Sequence, residues 1–178
     1  TEGESLGRRE PVTLDLGNGL RFRLRGRIDR IDRLADGTYE VLDYKTGAAF
    51  LPGGLQATFA GGRQLQHALY ALVAVDLLRE RDARARAVGS YYFPTSRGRR
   101  ERRVRPASAQ AQAATVLRDL FDLLGAGAFV HTPAVDEDCR FCEFRRACGT
   151  RAAERAKVKL ARHENETLDA YRRLQTHE

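Results

Sequence analysis

The chain has 178 residues, 42% of them hydrophobic and 31% charged, and 31 Lys and Arg face 24 Asp and Glu for a formal net charge of +7. That length suits one domain with a sizeable core. No apolar run approaches the length of a membrane span and no signal peptide is visible.

Of the 31 basic residues, 28 are Arg. A planar fork of donors on so many side chains suits a polyanionic partner. An Ala- and Arg-rich chain can equally reflect a GC-rich genome, with many arginines merely solvated, and charge alone leaves both readings open. The three cysteines, odd in number and clustered between 139 and 148, fit an intracellular metal site better than a disulfide framework, so a cytoplasmic protein is expected. The chain starts at Thr1 and contains no Met. It is therefore expected to be a piece of a longer polypeptide.

In chain order, Val12–Leu16 reads as a short strand, and Gly17-Asn18-Gly19 turns it into the Leu20–Arg25 strand, where apolar and basic residues alternate. Ala35-Asp36-Gly37-Thr38 is a tight-turn signal before a strand over Tyr39–Lys45, which predicts an antiparallel hairpin between these two strands. Side chains alternate along a strand, so Asp43 and Lys45 share a face, and the hairpin brings Asp29 opposite them. Two carboxylates and an ammonium on one patch form a site for a hard divalent cation beside a group that handles developing negative charge. Alternatively, Asp43 and Lys45 satisfy each other as a structural ion pair.

A Gly-rich loop, Gly47 to Gly62, reads as a flexible segment over that site. Arg63 to about Arg81 is an amphipathic helix. Its Gln66 and Tyr70, four apart, share one face with Arg63, which could hold a phosphate. Ala87–Phe93 is a buried strand ending at Pro94, Thr95–Gly98 a turn, and Arg99–Arg105 a very basic strand. Pro106-Ala107-Ser108 opens a helix from Ala109 to about Leu124, and Arg151–Glu178 is helical by periodicity. The Arg21, Arg23, Arg25, Arg27 series shares parity with Asp29, so an undistorted strand would lay a basic stripe toward the cation. A bulge near Arg30 would break it.

Four motifs stand in order: Gly26-x-x-Asp29 running into Arg30-Ile31-Asp32; Val41-Leu42-Asp43-Tyr44-Lys45-Thr46-Gly47; Gln66-x-x-x-Tyr70; and Cys139-x-x-Cys142 with Cys148 six residues on. Together they resemble the PD-(D/E)xK nuclease superfamily, more narrowly the nuclease domain of RecB- and AddB-type helicase–nucleases. The resemblance implies an α/β, restriction-endonuclease-like fold, a central mixed sheet flanked by helices, with the usual first helix missing from this stretch. It divides the chain into a nuclease core over 1–135, a cysteine segment over 136–150 and a helical tail over 151–178.

The implied activity is Mg²⁺- or Mn²⁺-dependent DNA hydrolysis, as an exonuclease in double-strand-break end resection and recombinational repair. The implied partners are DNA, as double-stranded ends and single strands, and a helicase subunit or domain, with no membrane. Asp29, Asp43 and the main-chain carbonyl of Tyr44 would hold the cation. An ammonium flanked by carboxylates suits electrostatic stabilisation better than proton abstraction, which is the role expected of Lys45. Gln66 and Tyr70 would line the site and, with Arg27 and Arg63, contact DNA.

By the same resemblance, Cys139, Cys142 and Cys148 would hold a [4Fe–4S] cluster whose fourth Cys lies outside this chain, the competing reading being Zn²⁺ on the three Cys and His131. Active members carry a further acidic or His ligand on the first helix. Nothing ahead of Val12 looks like that helix, Glu2, Glu4 and Glu10 sitting in a polar lead-in. Two rival functions share much of the pattern: a CRISPR-associated adaptation exonuclease, and a catalytically inactive nuclease fold that only guides DNA.

Overall fold

A computed structural model of the chain describes residues 10–46, 54, 57–94, 102–106, 110–132, 138–140 and 142–177. They belong to two compact units, Thr1–Val116 with His177–Glu178, and Leu117–Thr176.

The first unit opens with a two-stranded antiparallel ribbon, β1 (Val12–Asp15) on β2 (Arg21–Leu24), Val12 opposite Leu24 and Asp15 opposite Arg21. The connecting turn places Gly17, Asn18 and Gly19 all at positive φ, and the Asp15 carboxylate accepts the Gly17 N–H at 2.9 Å. This is the turn that Gly-Asn-Gly predicts, since Gly and Asn tolerate the left-handed region.

The main sheet has the order β3 (Arg30–Arg33), β4 (Tyr39–Tyr44), β5 (Ala87–Phe93), β6 (Arg102–Val104). β4 runs antiparallel to β3 and parallel to β5, and β6 is antiparallel to β5. Parallel neighbours need a crossover, here provided by α1 (Gln66–Leu78). β4 is buried at four successive positions, Glu40 to Asp43, as a strand covered on both faces should be.

One pairing corrects the sequence reading. The partner of the Tyr39 strand is Arg30–Arg33, whereas the Leu20 strand pairs back onto Val12. The turn was legible, with the Leu34 N–H donating to the Thr38 carbonyl at 2.8 Å, but alternating residues do not say which strand they face. Because β2 ends at Leu24 and β3 begins at Arg30, the Arg21–Arg27 parity is interrupted and no continuous basic stripe runs to Asp29.

Helix α1 lies unusually close to β5. A Cβ on Gly89 would sit 2.1 Å from the main-chain oxygen of His67, so the helix backbone touches the strand where a side chain would stand. Ala68, Ala71 and Ala74 make the buried stripe of the helix shallow, and Ala71, Ala74 and Leu78 join Val41, Ala85 and Ala87 in one core cluster. The helix begins at Gln66, three residues later than its sequence predicts, because residues 60–63 form a turn. The expected flexible loop is corrected at its end, where Ala57, Phe59 and Ala60 are buried and the Phe59 ring lies 5.6 Å from the His67 ring. Its residues 47–53, 55 and 56 lie outside the described ones, as do the turn and first part of the basic strand at 95–101 and most of the helix opening at 107–109.

The strand face that carries Glu40 holds a buried charge. Glu40 is fully enclosed; it accepts from the Ser90 hydroxyl at 2.5 Å, from Arg103 at 2.9 Å and from Arg105 at 2.8 Å. Helix α2 (Gln110–Gly125) matches its predicted span within a residue at its end. The second unit continues with α3 (Arg145–Cys148), α4 (Ala152–Ala161), a 3₁₀ turn at Glu166–Leu168 and α5 (Asp169–Leu174). The break after α4 is held by Arg172, whose guanidinium donates to the carbonyls of Leu160, Arg162 and Asn165, satisfying acceptors that a helix end leaves open. Arg173 reaches the buried Asp119 at 2.7 Å. Among the described residues no helix is long and apolar enough to cross a membrane.

Candidate active site

Strand β4 delivers Asp43 at its buried end and Lys45 just past it, two residues apart and on one face. The Lys45 ammonium forms an ion pair with Asp43 Oδ2 and donates to Gln66 Oε1 at 2.6 Å. Gln66 Nε2 in turn donates to Asp43 Oδ1 at 3.0 Å and contacts the Tyr70 hydroxyl at 3.2 Å. An amide is the side chain this position needs. Lys only donates and a carboxylate only accepts, so a group that bridges them must do both.

Asp29 stands one residue ahead of β3, where continuing the Arg30–Leu42 register sets it opposite Asp43. It is exposed, and its Oδ2 accepts the main-chain N–H of Tyr44 at 2.8 Å. That bond fixes the carboxylate against the strand carrying Asp43 and Lys45. Gly26 comes close to the third motif: a Cβ there would lie 3.5 Å from the Tyr70 ring. The first three motifs therefore meet at one end of the sheet.

The donor set fits a hard cation. Asp43 is buried, its Oδ2 ion-paired with Lys45 and its Oδ1 accepting from Gln66. Each oxygen of a carboxylate carries two lone pairs, so both keep acceptor capacity that a metal ion would use. Among the described residues no three His, Cys, Asp or Glu side chains converge. Two carboxylates are the usual protein share for Mg²⁺, which keeps waters and substrate phosphate in its remaining positions.

Two groups beneath the site, Tyr91 and His67, did not emerge from the sequence. The Tyr91 ring centroid lies 5.2 Å from the Lys45 ammonium, and the Tyr91 hydroxyl is 3.2 Å from His67 Nδ1. Burial pushes His67 down to about 4 and the Tyr91 hydroxyl up to about 12, the latter reinforced by the negative charge of Asp43. Both groups are therefore neutral near pH 7. The one available signal was Gly89 inside a buried strand, a mark of close backbone approach.

Arg63 is exposed in the turn before α1, its Nε donating to the Ala60 carbonyl at 3.0 Å, so it does not share the helical face of Gln66. Arg27 is exposed in the irregular stretch between β2 and β3. Cys139, Cys142 and Cys148 are free thiols, Cys142 exposed and the other two half-buried, and His131 is exposed.

Residues 2–149 match the family model of the PD-(D/E)XK nuclease superfamily. Over 78 residues the chain is 42% identical to one subunit of an ATP-dependent helicase/deoxyribonuclease of Symbiobacterium thermophilum, covering 42% of this chain. The matched stretch spans 6% of that relative's length. No solved structure matches.

Proposed function

The chain belongs to the PD-(D/E)XK nuclease superfamily, and on that premise we propose that it is the DNA-hydrolysing part of a helicase–nuclease acting in double-strand-break end resection and recombinational repair. The observation that carries the reading is the Gln66 bridge, which gathers the Lys45 ammonium and the buried Asp43 carboxylate at one end of the sheet. The name of the relative, a helicase/deoxyribonuclease subunit, supports DNA as substrate and a helicase as partner.

Asp29, Asp43 and the main-chain carbonyl of Tyr44 would hold Mg²⁺ or Mn²⁺, which when bound lowers the pKa of a coordinated water and polarises a phosphate oxygen. In the reaction, water adds to phosphorus, the bond to one ester oxygen breaks, and the products are a phosphomonoester and an alcohol. Lys45, aimed by Gln66, neutralises negative charge that grows on the phosphate oxygens. Held at 2.6 Å by Gln66, the ammonium needs no reorientation as the charge develops. Tyr44's N–H keeps the Asp29 carboxylate in place. Tyr70, one helical turn beyond Gln66, borders the same patch and would meet the DNA strand, with Arg27 and Arg63 as outlying phosphate contacts. Exonucleolytic cleavage is the mode assigned.

Cys139, Cys142 and Cys148 would serve as thiolate ligands of a [4Fe–4S] cluster completed from outside these residues, a structural role supported by soft-donor chemistry and spacing. Incubating the protein with end-labelled linear DNA and Mg²⁺ or Mn²⁺, with and without chelator, tests the activity. Metal-dependent release of nucleotides from ends is expected. Intact DNA under every metal condition would overturn the assignment.

A further inference from the structure

The strand half and the helix half of the site are joined by one side chain outside the four motifs. Tyr91 is opposite Asp43 in the β4–β5 register and only 2% exposed. Its ring faces the Lys45 ammonium at 5.2 Å. Its hydroxyl meets two atoms of His67, the residue next to Gln66: Nδ1 at 3.2 Å and the main-chain N–H at 3.4 Å. Two residues back along β5, Gly89 leaves no side chain between the strand and the His67 backbone.

We propose that Tyr91 is a positioning residue, its ring seating the Lys45 ammonium and its hydroxyl anchoring the first turn of α1 so that Gln66 stays within reach of Lys45 and Asp43. The inference rests on the reading of Lys45 as the group that faces the phosphate. A cation held over an aromatic face is attracted by the ring's quadrupole, more strongly when desolvated. The N–H of His67 lies in the first helical turn, where donors have no intrahelical partner. A tyrosine hydroxyl can accept that N–H and donate to Nδ1 in the same geometry, which leaves the ring proton of neutral His67 on Nε2. Ring and hydroxyl thus act on opposite halves of the site, and two substitutions separate them: Tyr91→Phe removes only the hydroxyl, Tyr91→Leu removes both.

The composition makes the contact directly visible. The chain has three lysines, Lys45, Lys157 and Lys159, so lysine-selective isotope labelling gives three side-chain methylene signals by NMR, assigned through Lys45→Arg. The Lys45 signal is expected upfield from the ring current, to remain so in Tyr91→Phe, and to return to the exposed-lysine position in Tyr91→Leu. On saturating linear DNA, Tyr91→Leu is expected to lower kcat about tenfold, the scale of a lost desolvated cation–π contact, with KM nearly unchanged. Tyr91→Phe should lower kcat less. A Lys45 signal indifferent to Tyr91→Leu, or a loss confined to KM, would overturn the proposal. If the unaltered protein cleaves no DNA, the function proposed above fails, while the Lys45 signal still decides whether Tyr91 seats the ammonium.

Discussion

Gln66 and Lys45, 21 positions apart in sequence, are joined by a 2.6 Å hydrogen bond from the ammonium to the amide oxygen. The bond ties the first residue of α1 to the end of β4. It holds the ammonium beside the Asp43 carboxylate, and the other end of the same amide also donates to Asp43.

Replacing that amide should therefore cost turnover more than binding. Gln66→Leu is expected to lower kcat by about a hundredfold, the scale of a misplaced charged group, with DNA affinity within a few-fold. Single-turnover cleavage beside a fluorescence binding titration checks this. Equal loss in both would make Gln66 a DNA contact rather than an organiser.

Gly89 tests the spacing between helix and strand. A methyl group there would stand 2.1 Å from the His67 carbonyl oxygen, so Gly89→Ala must push α1 away. A destabilisation of about 1–3 kcal/mol is expected, as for other overpacked cores, measured by urea denaturation. Cleavage should fall as well, because Gln66 moves with the helix.

Glu40 sets an acid limit. Burial by itself would raise its carboxyl, but the Ser90 hydroxyl and the Arg105 and Arg103 guanidiniums more than offset that and hold it below the usual 4.5. A group depressed on folding contributes stability that is fully present above its unfolded value and is lost as pH falls through its folded value. Glu40→Gln should cost about 2 kcal/mol at pH 7, less than a fully buried pair because both arginines are nearly half exposed. The gap between the variant and the unaltered protein should narrow below about pH 4.5. Denaturant midpoints measured from pH 7 to pH 3 would show it, and a constant gap would refute it.

Several of these relationships could be read from the chain and others could not. Asp43 and Lys45 were legible because period-two geometry puts residues two apart on one face, and Gln66 with Tyr70 because residues four apart on a helix are neighbours. Those are local rules. The partner of β4 was misread because Leu20–Arg25 and Arg30–Arg33 lie equally well placed upstream of the turn, and an alternating pattern carries no address for its neighbour. Tyr91, His67 and Glu40 escaped for the same reason. A tyrosine in a buried strand looks like core until the helix that meets its hydroxyl is placed, and Glu40 looks exposed until Arg103 and Arg105 arrive 63 and 65 residues later. Arg63 was drawn onto the helix because its hydrophobic pattern extends past the true start.

The cysteines give a prediction in metal content. Prepared anaerobically, the protein with its cluster completed should be brown and hold about four Fe per chain. Cys142→Ala should then lower thermal stability more than the rate of phosphodiester cleavage. Stoichiometric zinc without iron would assign the site to the three cysteines and His131 instead.

The most direct measurement pairs cleavage and binding in Asp43→Ala. Asp43 is the buried carboxylate that meets both Lys45 and Gln66, whereas affinity for DNA comes mostly from basic groups on phosphates, which the substitution leaves alone. With Mg²⁺ present, cleavage of linear DNA should fall by about three orders of magnitude or more, as for loss of a principal charge-stabilising element, and the Kd should stay within a few-fold. Mg²⁺-dependent cleavage at the unaltered rate in that variant would contradict the assignment of this site.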